Sequence, residues 1–197
     1  MRRPSKSHPA SPLNTPTPRV LILPGWQNSG AAHWQSRWQQ DHGYERVQQH
    51  DWQRPLRGDW CARLEEVLLQ DQRPAVLVAH SLGCLLVAAW AAHSRHTSRV
   101  RGALLVAPGD AERVDLRPVL ASWAPIERQR LPFASLLVGS GNDPYCSRER
   151  AAGLAQDWGS QWLNLGDCGH INADSGLGAW PQGHNLLLNL MKDDPPW

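Results

Sequence analysis

A single α/β domain, with a mostly parallel sheet of about six strands and helices on both faces, is predicted by three features of this chain. Short runs that are apolar throughout, such as Val20-Leu21-Ile22-Leu23 and Ala75-Val76-Leu77-Val78-Ala79, have the length and β-branched content of strands buried on both faces. Longer segments with helical spacing alternate with them, the order that crossovers between parallel strands require. A length of 197 residues suffices for one core of that size.

Each element follows from its residues. Arg19–Leu23 is a strand closed by Pro24-Gly25. Ala31 to Gln40 reads as a helix, with Trp34 and Trp38 four apart on one face. Glu45 to His50 is a weaker strand candidate. Asp59 is placed to cap a helix running to about Gln70, which would bury Cys61, Leu64, Val67 and Leu68. The strand from Ala75 stops at His80-Ser81, and a longer apolar run, Leu85 to Ala91, resumes as a helix. Gly102–Ala107 and Ala134–Gly139 are further buried strands. A helix over Ser147 to Trp158, a strand over Gln161 to Leu165 and a helix over about Gly178 to Met191 complete the set. The stretch from Asp110 to Pro132 is the place for a lid; its shortness predicts a minimal lid and an open site.

The domain is therefore expected over residues 19–192. Residues 1–18, rich in Pro, Ser and Thr, are expected to form a disordered extension, and 193–197 a frayed tail. Arg2-Arg3 lacks the following apolar region that a twin-arginine signal needs, and no stretch has the length of a membrane span. The formal charge of +2 reflects the first segment: without Arg2, Arg3, Lys6 and Arg19 the chain carries 16 basic against 18 acidic residues. Such a balance argues against a nucleic-acid partner, as the shortness of the apolar runs argues against a membrane one. Four widely spaced cysteines, Cys61, Cys84, Cys146 and Cys168, form no Cys-x-x-Cys pair and repeat no zinc-ligand spacing. Reduced thiols and a cytoplasmic location are the expectation, with no metal. Tryptophan is prominent, 11 residues against 2 tyrosines and 1 phenylalanine. Trp34, Trp38, Trp90, Trp158 and Trp162 are most economically core residues.

The chemistry concentrates where apolar strands end. Ala79-His80-Ser81-Leu82-Gly83 is close to Gly-x-Ser-x-Gly, the nucleophile elbow that lifts a serine hydroxyl above the end of a sheet; alanine keeps its first slot small. Serine needs an imidazole to take its proton and a carboxylate to orient that imidazole. His170, in a Gly-flanked loop after the last strand, is the preferred base over His184, His93, His96 and His8. His80 adjoins the serine, but strand neighbours point to opposite faces. Asp143, in the loop beside that of His170, is preferred as the acid over Asp110, and Asp167 lies too close to His170 in sequence. This gives the chain order serine, acid, histidine. The Leu82 N–H at the start of the elbow helix is one oxyanion donor. The Trp26 N–H is the favoured second, with the Gln27 N–H next. Trp26, Gln27 and Trp180, in loops beside the site, are candidate walls of a substrate pocket.

Pro24-Gly25-Trp26-Gln27-Asn28-Ser29 with His33-Trp34, His80-Ser81-Leu82-Gly83, Asn142-Asp143-Pro144-Tyr145-Cys146, and Gly169-His170-Ile171-Asn172 followed by Gly176-Leu177-Gly178 and Trp180-Pro181 together resemble the retinoblastoma-binding protein 9 and YdeN group. These are small serine hydrolases of the α/β-hydrolase superfamily. The resemblance spans about Val20 to Met191 and implies Ser81 as nucleophile, Asp143 as acid and His170 as base. The Leu-x-Cys-x-Glu motif for pocket-protein binding does not occur here, so that interaction is not implied. The expected activity is hydrolysis of a small ester or amide through an acyl-enzyme, with a small-molecule acyl substrate and no cofactor. The competing readings are a hydrolase-fold interaction module without turnover and an acyltransferase.

Overall fold

The computed structural model describes residues 17–192. The expected extension, apart from its last two residues, and the expected tail lie outside the described residues. Six strands form one parallel sheet in the order β2-β1-β3-β4-β5-β6: β1 Arg19–Leu23, β2 Glu45–Arg46, β3 Ala75–His80, β4 Val100–Val106, β5 Ala134–Gly139 and β6 Gln161–Asn164. The helices are α1 Trp34–His42, α2 Arg57–Leu69, α3 Leu82–His93, α4 Arg117–Leu120, α5 Arg148–Trp158 and α6 Pro181–Leu190.

Strand alternation divides the core in two. Leu21, Leu23, Leu77, Ala79, Leu105 and Leu137 face one layer with residues of α2, α3 and α5. Val20, Val76, Val78, Leu104, Leu136 and Val138 face the other, with Trp34 and Trp38 of α1 and Leu187 and Leu190 of α6. Every residue of β1 and β3 is buried, which is why both strands are apolar apart from Arg19 at the start of β1 and His80 at the end of β3. Residues Leu82 to Trp90 of α3 are likewise all buried, since this helix lies between the sheet and α2.

Several element ends differ from expectation for local reasons. β2 pairs over only two residues, because the chain leaves the sheet edge after Arg46. α2 starts at Arg57, with Leu56 at its N-cap, so Asp59 falls within the first turn, where its charge still suits the helix dipole. Trp60 takes the fully buried position there, and Cys61 packs against the core only partly. α6 begins at Pro181, after Trp180 turns the chain with φ 46°.

The order β2-β1-β3 decides where a site can form. The chain leaves β1 toward one side of the sheet and β3 toward the other, so a crevice opens beyond the carboxyl ends of these two neighbours. The loops after Leu23 and His80 meet there.

Candidate active site

Ser81 caps α3 at the end of β3 with φ 55° and ψ −121°, a backbone conformation that strains an L-residue by about 1–3 kcal/mol. The turn is held by Ser81 N–H donating to Val106 O at 3.0 Å and Cys84 N–H donating to Ser81 O at 3.0 Å. Two glycines permit the close packing around it. A Cβ on Gly25 would lie 2.7 Å from Ser81 Cβ, and one on Gly83 would collide with the Leu23 carbonyl at the end of β1.

Three side chains from separate loops meet at this turn. His170 Nε2 lies 2.9 Å from Ser81 Oγ. On the other side of the ring, Nδ1 lies 2.9 Å and 3.0 Å from the two Asp143 carboxylate oxygens. A carboxylate only accepts, so Nδ1 carries the proton and Nε2 is free to accept from the serine hydroxyl. The Asp143 side chain is 3% exposed, and its Oδ1 also accepts from Tyr145 N–H at 2.8 Å. The acid and histidine loops are joined through Asn142, whose Oδ1 accepts from Gly169 N–H at 2.7 Å and from Ser140 Oγ at 3.0 Å. The Tyr145 ring packs on His170, with centroids 4.6 Å apart.

The other candidates are engaged elsewhere. Asp110 accepts from Arg150 at 3.2 Å, and Asp167 packs over Gly141. His184 meets the Tyr44 hydroxyl, and His96 meets Glu65. His93 ends α3, and His8 lies outside the described residues.

Two residues with free backbone donors, Leu82 and Trp26, border the cleft that holds Ser81. Leu82 is the first residue of α3, so its N–H has no intrahelical acceptor. The Trp26 N–H has no acceptor among the described residues, whereas the Gln27 N–H donates to Trp52 O at 3.0 Å and is unavailable. The loop carrying Trp26 is fixed from below by Gln35, which is fully buried. Gln35 donates to Leu23 O and Val78 O at 3.2 and 3.0 Å and accepts from Ser29 Oγ at 2.8 Å. Arg46 holds the far end of the loop through Asn28 Oδ1 and Ser29 O.

Above Ser81 lies a cleft of about 320 Å³. Trp26 and Gln27 border it, together with Leu85, Ala111, Leu116 and Leu120. Trp180 does not. It is 1% exposed and sits in the core between Trp34 and Trp38, stacked on Trp38 at 15° with centroids 6.0 Å apart. Its left-handed backbone at the α6 cap turns the indole inward, so the expected pocket wall is a core residue.

Two histidines have roles that spacing along the chain does not reveal. His80 borders the same cleft as Ser81 and turns its ring toward the histidine loop, where its Nε2–H donates to the His170 carbonyl at 2.9 Å. Complete burial, with the His170 and His33 rings nearby, holds His80 neutral, far below the usual imidazole range. His33 caps α1, with Nδ1 accepting from Gln35 N–H at 3.1 Å. Burial first, then the nearby Arg46 and His170, push its pKa down to about 3.

A serine hydrolase family model matches residues 20–189. This chain belongs to the serine hydrolase family. Among solved structures, it is similar to a YdeN-like hydrolase of Pectobacterium atrosepticum, at 29% identity and a TM-score of 0.78 over 88% of this chain and 90% of that one. The ydeN gene product of B. subtilis matches at 20% identity and 0.70, over 88% and 98%. Esterase RhEst1 of a Rhodococcus species shares the fold at 14% identity and 0.62, over 90% and 91%. No curated protein matches the chain. This member of the family is thus similar to YdeN-like hydrolases and shares their α/β fold. Among the described residues no helix is long and apolar enough to cross a membrane, and no group of three or more His, Cys, Asp and Glu side chains is arranged to hold a metal.

Proposed function

We propose that this serine hydrolase cleaves small carboxylic esters through an acyl-enzyme formed on Ser81. The observation that carries the reading is the unbroken Asp143–His170–Ser81 hydrogen-bond chain at the floor of the cleft. His170 Nε2 takes the hydroxyl proton as Oγ attacks the ester carbonyl, and Asp143 keeps the tautomer and steadies the imidazolium. The oxyanion is received by the Leu82 and Trp26 N–H groups. His170 then protonates the alcohol oxygen as the C–O bond breaks. Water, deprotonated by the same imidazole, attacks the acyl carbonyl and releases the acid and Ser81.

The size of the cleft and its apolar wall support compact acyl groups. The segment between β4 and β5 supplies that wall from short helical turns, without a separate cap. Four unpaired cysteines fit a reducing, cytoplasm-like compartment. The test is steady-state hydrolysis of p-nitrophenyl acetate and butyrate by the native protein and Ser81→Ala. The variant should lose on the order of a million-fold in kcat, as for deletion of a triad nucleophile. Equal rates in the two proteins would refute the assignment, and an inert native protein would favour an interaction module.

A further inference from the structure

The cleft is chemically two-sided. Leu85, one turn along α3 from Leu82, and Ala111, Leu116 and Leu120 of the β4–β5 segment form an apolar wall. Polar lining gathers around the histidine loop: Asn172 follows His170 by two residues, and His33 reaches the cleft from the N-cap of α1. The His33 ring packs edge-on against His80 at 4.7 Å between centroids, and His80 packs against His170 at 4.8 Å. His33 therefore stands on the side of the site where His170 hands its proton to the departing alcohol.

His33 is also chemically unfinished. Its Nδ1 accepts from a backbone amide, which can only donate, so Nδ1 bears no hydrogen. The ring is neutral, as its depressed pKa requires, so the single proton is on Nε2. His33 is 5% exposed, and that Nε2 is buried with no partner among the described residues. Buried donors without acceptors are uncommon in folded proteins. Nδ1 is turned toward its own helix, so the unpartnered edge of the ring is the one carrying Nε2–H, and the ring borders the cleft with that nitrogen just beneath its surface.

We propose that His33 is a specificity-determining donor for the leaving group, its Nε2–H hydrogen-bonding an oxygen carried by the alcohol portion of the ester close to the scissile bond. The favoured substrates are then short aliphatic acyl esters of oxygenated alcohols rather than of plain alkyl alcohols. This rests on the ester-hydrolase reading above. A site that presents a desolvated donor discriminates against an analogue lacking the acceptor, since the donor stays unpaired when that analogue binds.

The decisive comparison is between 2-methoxyethyl acetate and n-butyl acetate, which differ only in an ether oxygen replacing a methylene. The native protein should favour the ether by roughly five- to tenfold in kcat/KM, the worth of a neutral hydrogen bond. His33→Asn retains a side chain that caps helices well but is too short to replace the distal N–H. It should bring the ratio to about one, chiefly by raising KM for the ether. His33→Gln, whose amide reaches further, should restore part of the preference. A native ratio of one overturns the proposal, as does a His33→Asn variant that slows both esters alike, the mark of a purely structural role. A fluorophosphonate probe on the same preparations separates the two levels. Labelled Ser81 without ether preference removes the role of His33 alone, whereas unlabelled Ser81 without turnover removes the hydrolase reading beneath it.

Discussion

Replacing Asp143 with Asn is expected to invert the donor pattern around His170 while leaving its shape nearly unchanged. Both carboxylate oxygens lie within 3.0 Å of Nδ1, and Oδ1 additionally accepts from Tyr145 N–H at 2.8 Å. In Asp143→Asn the Tyr145 N–H, a fixed donor, selects the amide oxygen for the Oδ1 position. The amide NH2 is left at the Oδ2 position, 2.9 Å from Nδ1. A donor there forces Nδ1 to accept, so the ring proton moves to Nε2, which can no longer take the Ser81 proton. The wrong tautomer is worth about 10⁴ in kcat in serine proteases, or roughly 5.4 kcal/mol in barrier. The assay is p-nitrophenyl acetate turnover at pH 7–8, together with the fluorophosphonate labelling rate and a thermal melt. Both rates should fall by about 10⁴ with the fold intact. A loss of less than tenfold in a folded variant would show that Asp143 does not set the tautomer.

Three other outcomes follow from the same geometry. His80→Phe removes the donor to the buried His170 carbonyl; urea unfolding should show a loss of about 1–3 kcal/mol, and kcat should fall more than KM changes. Gln35→Met keeps volume but removes the side-chain bonds to the Leu23 and Val78 carbonyls and the acceptor of Ser29 Oγ, so a loss of about 1–3 kcal/mol and a slower acylation rate are expected as the loop carrying Trp26 slackens. His33 titrates near 3 when folded and near 6.5 when unfolded, so the unfolded chain binds the proton first as the pH falls. The stability that the neutral ring allows is therefore present above about pH 6.5 and lost progressively toward pH 3, by roughly 2–3 kcal/mol at pH 4.5. Urea titrations of native protein and His33→Asn from pH 8 to 4.5 should show the shallower decline in the variant; parallel declines would count against it.

The sheet was legible because strands buried on both faces are largely apolar, and the runs read as Arg19–Leu23 and Ala134–Gly139 coincide with β1 and β5. What pairing decides was less legible: β2 is shorter than its polar sequence suggests, since nothing in Glu45 to His50 marks where the chain leaves the edge. The residues now seen to form the Asp143–His170–Ser81 chain stood out because each follows an apolar strand, and parallel sheets expose those ends on one rim. Trp180 misled because a residue between Gly178 and Pro181 reads as an exposed loop, and only packing against Trp34 and Trp38 reveals the turn inward. The Ser81 hydroxyl bonds His170 and not His80, but strand alternation says nothing about what His80 itself meets. The His170 carbonyl it meets is 90 residues away. The unpartnered Nε2 of His33 is equally a product of tertiary burial.

Intact-mass and peptide mapping after brief exposure to a fluorophosphonate ask most directly whether His170 activates the hydroxyl of Ser81. One phosphonyl adduct per chain, located on Ser81 and abolished in His170→Ala, is the result predicted. A folded protein that remains unmodified, or one that carries the adduct elsewhere, would contradict it.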